Sequence, residues 1–262
     1  MRAMNIAATG MQAQQTNVEV ISNNIANMNT TAYSRRLPEF TDLLYQNLQR
    51  VGTFSSDSNT IVPSGIQLGL GVKTTSVYRV AEQGPVNNTN DTLDVAVQGK
   101  GYFQIQLPNG STAYTRDGTF QLSSQGQIVT ATGYTVLPGI TVPNNATGIT
   151  INSSGQVSVT IDGQTAASVV GQLTLANFPN DAGLEAEGNN LFLQTASSGS
   201  PIVATPGSNG FGSILQGYLE GSNVNSVSEM TNLISAQRAY EMNSKVIQTA
   251  DNMMQTTSQL KS

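Results

Sequence analysis

The hydrophobic pattern of this chain changes period twice, helical at both ends and strand-like between them. From Asn225 to Leu260 there is neither Gly nor Pro, room for about ten helical turns at ~3.6 residues each. Two adjacent heptad rows run along it. The first is Leu233, Ala236, Tyr240, Asn243, Ile247, Ala250, Met254 and Thr257; the second is Ala239, Met242, Val246, Thr249, Met253, Thr256 and Leu260. Together they are wider than a two-stranded seam, which predicts a helix with several neighbours. Glu241 and Lys245 stand off the first row in the favoured i,i+4 order and support the helix.

The opposite end carries a matching stripe. Met4, Ala7, Met11, Gln14, Val18, Ile21, Ile25 and Met28 recur in steps of three and four with one polar interruption, Gln14, predicting a helix from Arg2 to Met28. Gly10 weakens it by roughly 1 kcal/mol relative to Ala, which points to a close contact or a frayed first part. The run from Ser22 to Thr31 is loaded with Asn, which tolerates the left-handed conformation that ends helices. Its functional alternative is a ladder of amides bonded to a neighbouring copy. Two readings of the terminal helices stand side by side: an intramolecular hairpin, and an assembly device completed only by adjacent copies.

Between the helices the signals are different. Phe40 to Leu48 is apolar at helical spacing but short. Gly52, the Ser55 to Asn59 cluster and Pro63-Ser64-Gly65 follow as turn chemistry. Ile66 to Lys73 and Ser76 to Val80 alternate with period two, so residues 32–86 predict a long hairpin-like excursion. From 87 to 216 short apolar runs alternate with turns: Asp94–Val97, Tyr102–Leu107, Ala113–Thr115, Phe120–Leu122 and Ile128–Thr130, separated by Pro108-Asn109-Gly110, Asp117-Gly118 and Gln125-Gly126. Ile149–Ile151, Val157–Ile161, Val170–Leu175 and Leu191–Leu193 continue at sandwich-like spacing. Gly207 to Gly221 reads as a Gly-rich link into the last helix. The fold class expected is α+β. A discontinuous N- and C-terminal helical coiled-coil domain (1–31 and 217–262) holds an inserted all-β domain (87–216) and a β-hairpin-like extension within 32–86.

Composition narrows the function. Of 262 residues only 10% are charged and the net charge is −5, without a basic stripe, so a nucleic-acid partner is not expected. With no Cys and no His, disulfides, thiolate sites, Ser-His-Asp triads and His-based zinc sites drop out. No apolar h-region opens the chain and no apolar run reaches 18 residues, so neither a cleaved secretory signal nor a membrane span is expected.

The remaining chemistry is thin. Gly99-Lys100-Gly101 lacks the upstream Gly and following Ser/Thr of a phosphate loop, leaving a hairpin lysine. Asn88, Asn90, Asp91 and Asp94 lack the Gly and terminal Glu of a calcium loop. Ser258 and Lys261 have S-x-x-K spacing without a third partner, and Glu185 and Glu187 read as an exposed loop. Tyr114-Thr115-Arg116-Asp117-Gly118 reads as a strand ending in a turn braced by Arg116. No enzyme, cofactor or metal is expected.

Several stretches resemble the bacterial flagellar rod and hook protein family. At the N-terminus these are Ala8-Thr9-Gly10-Met11, Gln14-Gln15, Ile21 to Asn27 and Asn29-Thr30-Thr31. At the C-terminus they are Leu219-Glu220, Ser222 to Asn225, Glu229-Met230, Asn232-Leu233-Ile234, Ala236 to Glu241 and Asn243-Ser244-Lys245, and in the middle Gln98 to Phe103 and Tyr114 to Gly118. The excursion, with its Pro-Ser-Gly-Ile-Gln-Leu-Gly core at Pro63 to Gly69, resembles the insertion of distal-rod members, which in that family wedges between subunits and keeps the rod straight. One departure is Ala32, where the family usually has Gly, implying a less sharp turn.

The resemblance implies a structural subunit that leaves the cytoplasm unfolded through the flagellar type III export apparatus. It then self-assembles helically into a hollow, rigid drive shaft spanning the periplasm. The implied partners are further copies, the proximal rod proteins, the hook protein and the surrounding L- and P-ring bushing. Met11, Val18, Ile21, Ile25, Leu233, Ala236, Tyr240, Ile247 and Met254 are the candidates for subunit packing. Pro63, Gly65, Ile66, Leu68, Leu70 and Val72 are those for rod straightness. The alternatives are a proximal rod or hook subunit, and a carbohydrate-binding β domain on a helical stalk. The absence of Trp and the 6% aromatic content leave the last few platforms for stacking sugars.

Overall fold

Uninterrupted helical spacing at the two ends becomes α1 (Arg2–Ala26) and α2 (Ser226–Gln259) in a computed structural model that describes residues 2–49, 64–162 and 166–259. Asn225 caps α2, its Oδ1 accepting the backbone N–H groups of Val227 and Ser228 at 3.1 Å each. The chain divides into two units, each gathered from separated segments. The first takes Met1–Ala26, Arg36–Arg79 and Asn225–Ser262; the second takes Asn27–Arg35 and Val80–Val224.

In the first unit α1 and α2 pack together. Gly10 lies against Asn243, and Asn24 bonds to Glu229, so the pair runs antiparallel. Gly10 marks a close contact and not a frayed end, because a Cβ there would stand 2.9 Å from Asn243 Nδ2. The same unit carries two antiparallel pairs, β1 (Arg36–Asp42) with β4 (Val72–Arg79), and β2 (Tyr45–Gln49) with β3 (Ile66–Gly69). Leu43 N–H to Gly71 O and Leu70 N–H to Leu44 O join the two pairs into one ribbon. The helical spacing of Phe40 to Leu48 therefore misleads. Those residues lie on two strands, because the partner strands further along offer a ladder that a nine-residue helix cannot match.

The second unit is built of β-strands apart from a short 3-10 helix at Asp181–Gly183. Its strands are β5 (Val86–Asn88), β6 (Val95–Gln98), β7 (Tyr102–Gln106), β8 (Thr112–Thr115), β9 (Phe120–Leu122), β10 (Ile128–Thr130) and β11 (Thr135–Val136). They continue as β12 (Ala146–Ile151), β13 (Gln156–Ile161), β14 (Ser168–Gln172), β15 (Leu175–Asn177), β16 (Glu185–Gly188), β17 (Leu191–Leu193), β18 (Ile202–Ala204), β19 (Ser213–Gln216) and β20 (Tyr218–Glu220). A nine-stranded sheet is ordered β16-β17-β8-β7-β11-β10-β9, with β15 also on β7 and β18 on β15; β12-β13-β14 form a separate sheet. Phe103, Ile105, Ile128, Val157, Val159, Leu175 and Ile214 are fully buried in one shared core, with Phe103 and Phe120 edge-to-face at 5.1 Å.

Two expectations change here. Residues 207–221 are not merely a link: β19 pairs with β6 and β20 with β5, and Ile214 belongs to the core. Glu185 and Glu187 lie on an edge strand, exposed, and not in a loop.

Candidate assembly surfaces

The α1–α2 pairing sorts the two heptad rows of α2 by burial. In the first row Ala236 and Ala250 are buried, and Leu233, Asn243, Ile247 and Met254 are half-buried; Tyr240 is 43% exposed at the margin. On α1, Ala7, Ala13, Ile21 and Asn24 are buried and Met11, Val18 and Ile25 half-buried. In the second row Met242, Val246 and Met253 remain 61%, 47% and 59% exposed. The threonines of that row deepen its apolar character. Thr249 Oγ1 donates to Lys245 O and Thr256 Oγ1 to Asn252 O, both at 2.8 Å, so their hydroxyls are turned onto the helix backbone. Val227, Met230 and Ile234 add exposed apolar surface near the start of α2. Leu260 lies outside the described residues.

A buried polar anchor fixes where the two helices meet the ribbon. Asn24, 1% exposed, accepts the N–H of Arg36 at Oδ1 and donates Nδ2 to Arg36 O, both at 2.9 Å, as a strand partner would. The same Nδ2 lies 3.3 Å from Glu229 Oε2, and Glu229 is 2% exposed. Asn24 thus works inside its own unit and not as a rung of an amide ladder between copies. Spacing alone could not show this, since Arg36 comes 12 residues later and Glu229 205 later.

Among the described residues the β2–β3 part of the ribbon exposes a series of apolar side chains. Pairing Gln46 with Leu68, and Leu44 beside Leu70, sets Leu44, Leu68 and Leu70 on one face of β2–β3, with Leu48 at the irregularity between Asn47 and Gln49. All four are exposed, Leu44 by 83%, as is Ile66. Gly65 and Val72 are half-buried, and Pro63 falls outside the described residues. A two-stranded ribbon with an apolar face is at best marginally stable in water.

The two central motifs of the second unit converge on Arg116. Its Nε donates to Glu220 Oε2 at 2.7 Å, Nη1 to Gly99 O and Gly101 O at 2.9 and 3.0 Å, and Nη2 to Val97 O at 3.2 Å. Glu220 Oε1 in turn accepts Gly84 N–H at 3.1 Å, and Glu220 O accepts Ala32 N–H at 2.8 Å. Ala32 itself is buried at φ +54°, so the turn keeps the left-handed shape that a Gly would supply, and the expected slackening does not occur. Asn223 ties three returning segments together. It donates to Val80 O and Glu82 O at 3.2 and 2.9 Å and accepts Arg35 N–H at 2.7 Å. Asn88 Oδ1 and Asp91 Oδ1 close Asx turns, accepting the N–H groups of Asn90 and Leu93 at 2.9 and 3.0 Å. Among the described residues no group of three or more acidic, His or Cys side chains could hold a metal ion, and no helix is long and apolar enough to cross a membrane.

Three family models match the chain: the flagella basal body rod protein over residues 4–33, the flagellar hook protein FlgE/F/G D1 domain over 96–159, and the flagellar basal body rod FlgEFG protein C-terminal over 215–260. The flagellar basal-body rod protein FlgG of Caulobacter vibrioides is 61% identical over 262 residues, covering all of both chains. The chain belongs to the flagellar basal-body rod family. FlgG of Agrobacterium fabrum is 53% identical over 253 residues, 97% of each chain, and that of Borreliella burgdorferi 48% over 263 residues, 100% of this chain and 99% of its own. Within the family the chain is of the FlgG type, a structural subunit of the flagellar distal rod. The terminal matches span most of α1 and of α2, the helix that carries the uncovered second row.

Proposed function

We propose that this rod subunit builds a hollow, rigid shaft by adding the uncovered second row of α2 to the α1–α2 pair of the next copy. The exposed Leu44, Leu48, Leu68 and Leu70 of the ribbon are covered in the same lattice. The observation that carries this is the division of α2 into one row spent on α1 and one left bare, threonine methyls included. Burying an apolar side chain of this size contributes roughly 1.5–3 kcal/mol. Repeated at every contact, that is enough to make a lattice stiff while a single copy remains separate. The packing residues then fall into two groups. Met11, Val18, Ile21, Ile25, Leu233, Ala236, Ile247 and Met254 hold the pair together, while Tyr240 and the second row face outward.

In this reading torque passes through many such contacts, along a rod that crosses the periplasm between the proximal rod proteins and the hook protein and turns inside the L- and P-ring bushing. Subunits reach its tip through the flagellar type III export apparatus. Straightness rests with Gly65, Ile66, Leu68, Leu70 and Val72, together with Pro63.

The test compares two adjacent positions. Val246→Asp should leave the circular dichroism of the dilute protein unchanged yet abolish tubes in electron micrographs of concentrated protein. Ile247→Asp should break the helix pair and assembly together while sparing the β unit. Tubes of ordinary length from Val246→Asp would refute the assignment of the second row.

A further inference from the structure

Beside the apolar rows, the α1–α2 pair carries a groove of about 340 Å³ lined by Gln15, Val18, Glu19, Gln237, Tyr240 and Glu241. Its floor is Val18 and the Tyr240 ring, and its charged walls are Glu19 and Glu241. Glu19 accepts only the amide of Gln15, at 3.1 Å, and no cation lies within ion-pair distance of either carboxylate among the described residues. Glu241 and Lys245, spaced for an i,i+4 pair, do not form one. Arg238 and Lys245 stand one heptad apart on α2, both exposed and without an ion pair among the described residues. Arg238 precedes Tyr240 by two positions, about 200° around the helix at ~100° per residue. Arg238 therefore points away from the Tyr240 ring of its own helix, and although it stands one turn from Glu241 the two form no ion pair among the described residues.

We propose that Arg238 of a second copy seats in this groove, its guanidinium over Tyr240 and between Glu19 and Glu241. A planar guanidinium stacks on an aromatic face and offers several donors to two carboxylates, which a lysine ammonium does less well. Because Arg238 points away from the Tyr240 ring of its own helix, the stacking partner has to come from another copy. This inference rests on the self-assembly reading and adds to it the pairing that sets the order of neighbouring copies.

The test uses the purified full-length chain, with polymer read by sedimentation and electron microscopy and folding by circular dichroism. Arg238→Glu, and separately the double variant Glu19→Lys/Glu241→Lys, should each raise the concentration needed for polymer by about tenfold or more, ~1.4 kcal/mol per contact. The triple variant carrying all three reversals should return to within about threefold of the parent. Lys245→Glu should shift it by less than about threefold. The Arg238 contact should weaken as salt screens it. Polymers from Arg238→Glu at the parent's concentration, no recovery in a folded triple variant, or a larger effect from Lys245→Glu would each overturn the proposal while leaving self-assembly standing. A parent chain that forms no polymer would remove both.

Discussion

Replacing Arg116 with Ala tests the strongest electrostatic statement the second unit makes. The guanidinium is 13% exposed and Glu220 6%, so their contact at 2.7 Å is a largely dry ion pair. Removing the cation leaves the Glu220 carboxylate with Gly84 N–H at 3.1 Å as its remaining partner. Breaking a buried pair from one side typically costs about 3–5 kcal/mol, chiefly the penalty of the charge left behind. The lost bonds add less at Gly99, which is exposed to water, and at Val97 O, which keeps Gln83 Nε2 at 2.7 Å, while the buried Gly101 loses its Arg116 donor. The loss expected is therefore about 3–5 kcal/mol, a large part of a domain's total stability of ~5–15 kcal/mol. With eight Tyr and no Trp, tyrosine fluorescence during urea unfolding is the natural readout. The midpoint should fall with little change in slope. Arg116→Ala/Glu220→Gln should recover part of the loss by removing the stranded charge. A single variant within about 1 kcal/mol of the parent would refute the idea that this pair is dry and structural.

Burial pushes the Tyr114 phenol above its ordinary 10.0. Its contribution is complete below pH 10 and is lost as pH rises through the folded value, so the β unit should weaken in strong alkali, and Tyr114→Phe should lessen that slope in urea titrations. Ala32 pays the left-handed penalty at φ +54°. Ala32→Gly should stay within about 1 kcal/mol, as relief of strain offsets lost burial and added chain entropy. Ala32→Val should cost about 2 kcal/mol in thermal unfolding. Asn24→Ala should cost the helical unit about 2–3 kcal/mol through unpaired groups at Arg36 and Glu229, followed by helix signal in urea. Asn24→Asp should be worse, because it sets a second carboxylate against Glu229.

The helices and most strands were legible because each declares itself in a short window. The rows on α2 and the Asn-Gly and Asp-Gly turns of the β unit needed no distant partner to be recognised. Phe40 to Leu48 misled because its structure is decided by β3 and β4, beyond the window that shows its spacing. Residues 207–221 misled for a related reason: their glycines hide two short strands whose ladders are supplied by β5 and β6. The polar anchors were harder still. Arg116 could be seen to brace a turn, but its bond to Glu220 spans 104 residues, and Asn223 reaches back 188 to Arg35. The groove beside Tyr240 needed both helices in place before Glu19 and Glu241 became neighbours of one cavity.

Because α1 and α2 are each other's first partners yet lie about two hundred residues apart, the helical unit closes the longest loop the chain can make. Bringing such distant ends together carries an entropic cost that local elements never meet, so they join late. While a ribosome is still working through the β unit, the opening helix has no mate and its apolar stripe remains idle. The α2 row assigned to assembly therefore does not exist until the last helix has been made.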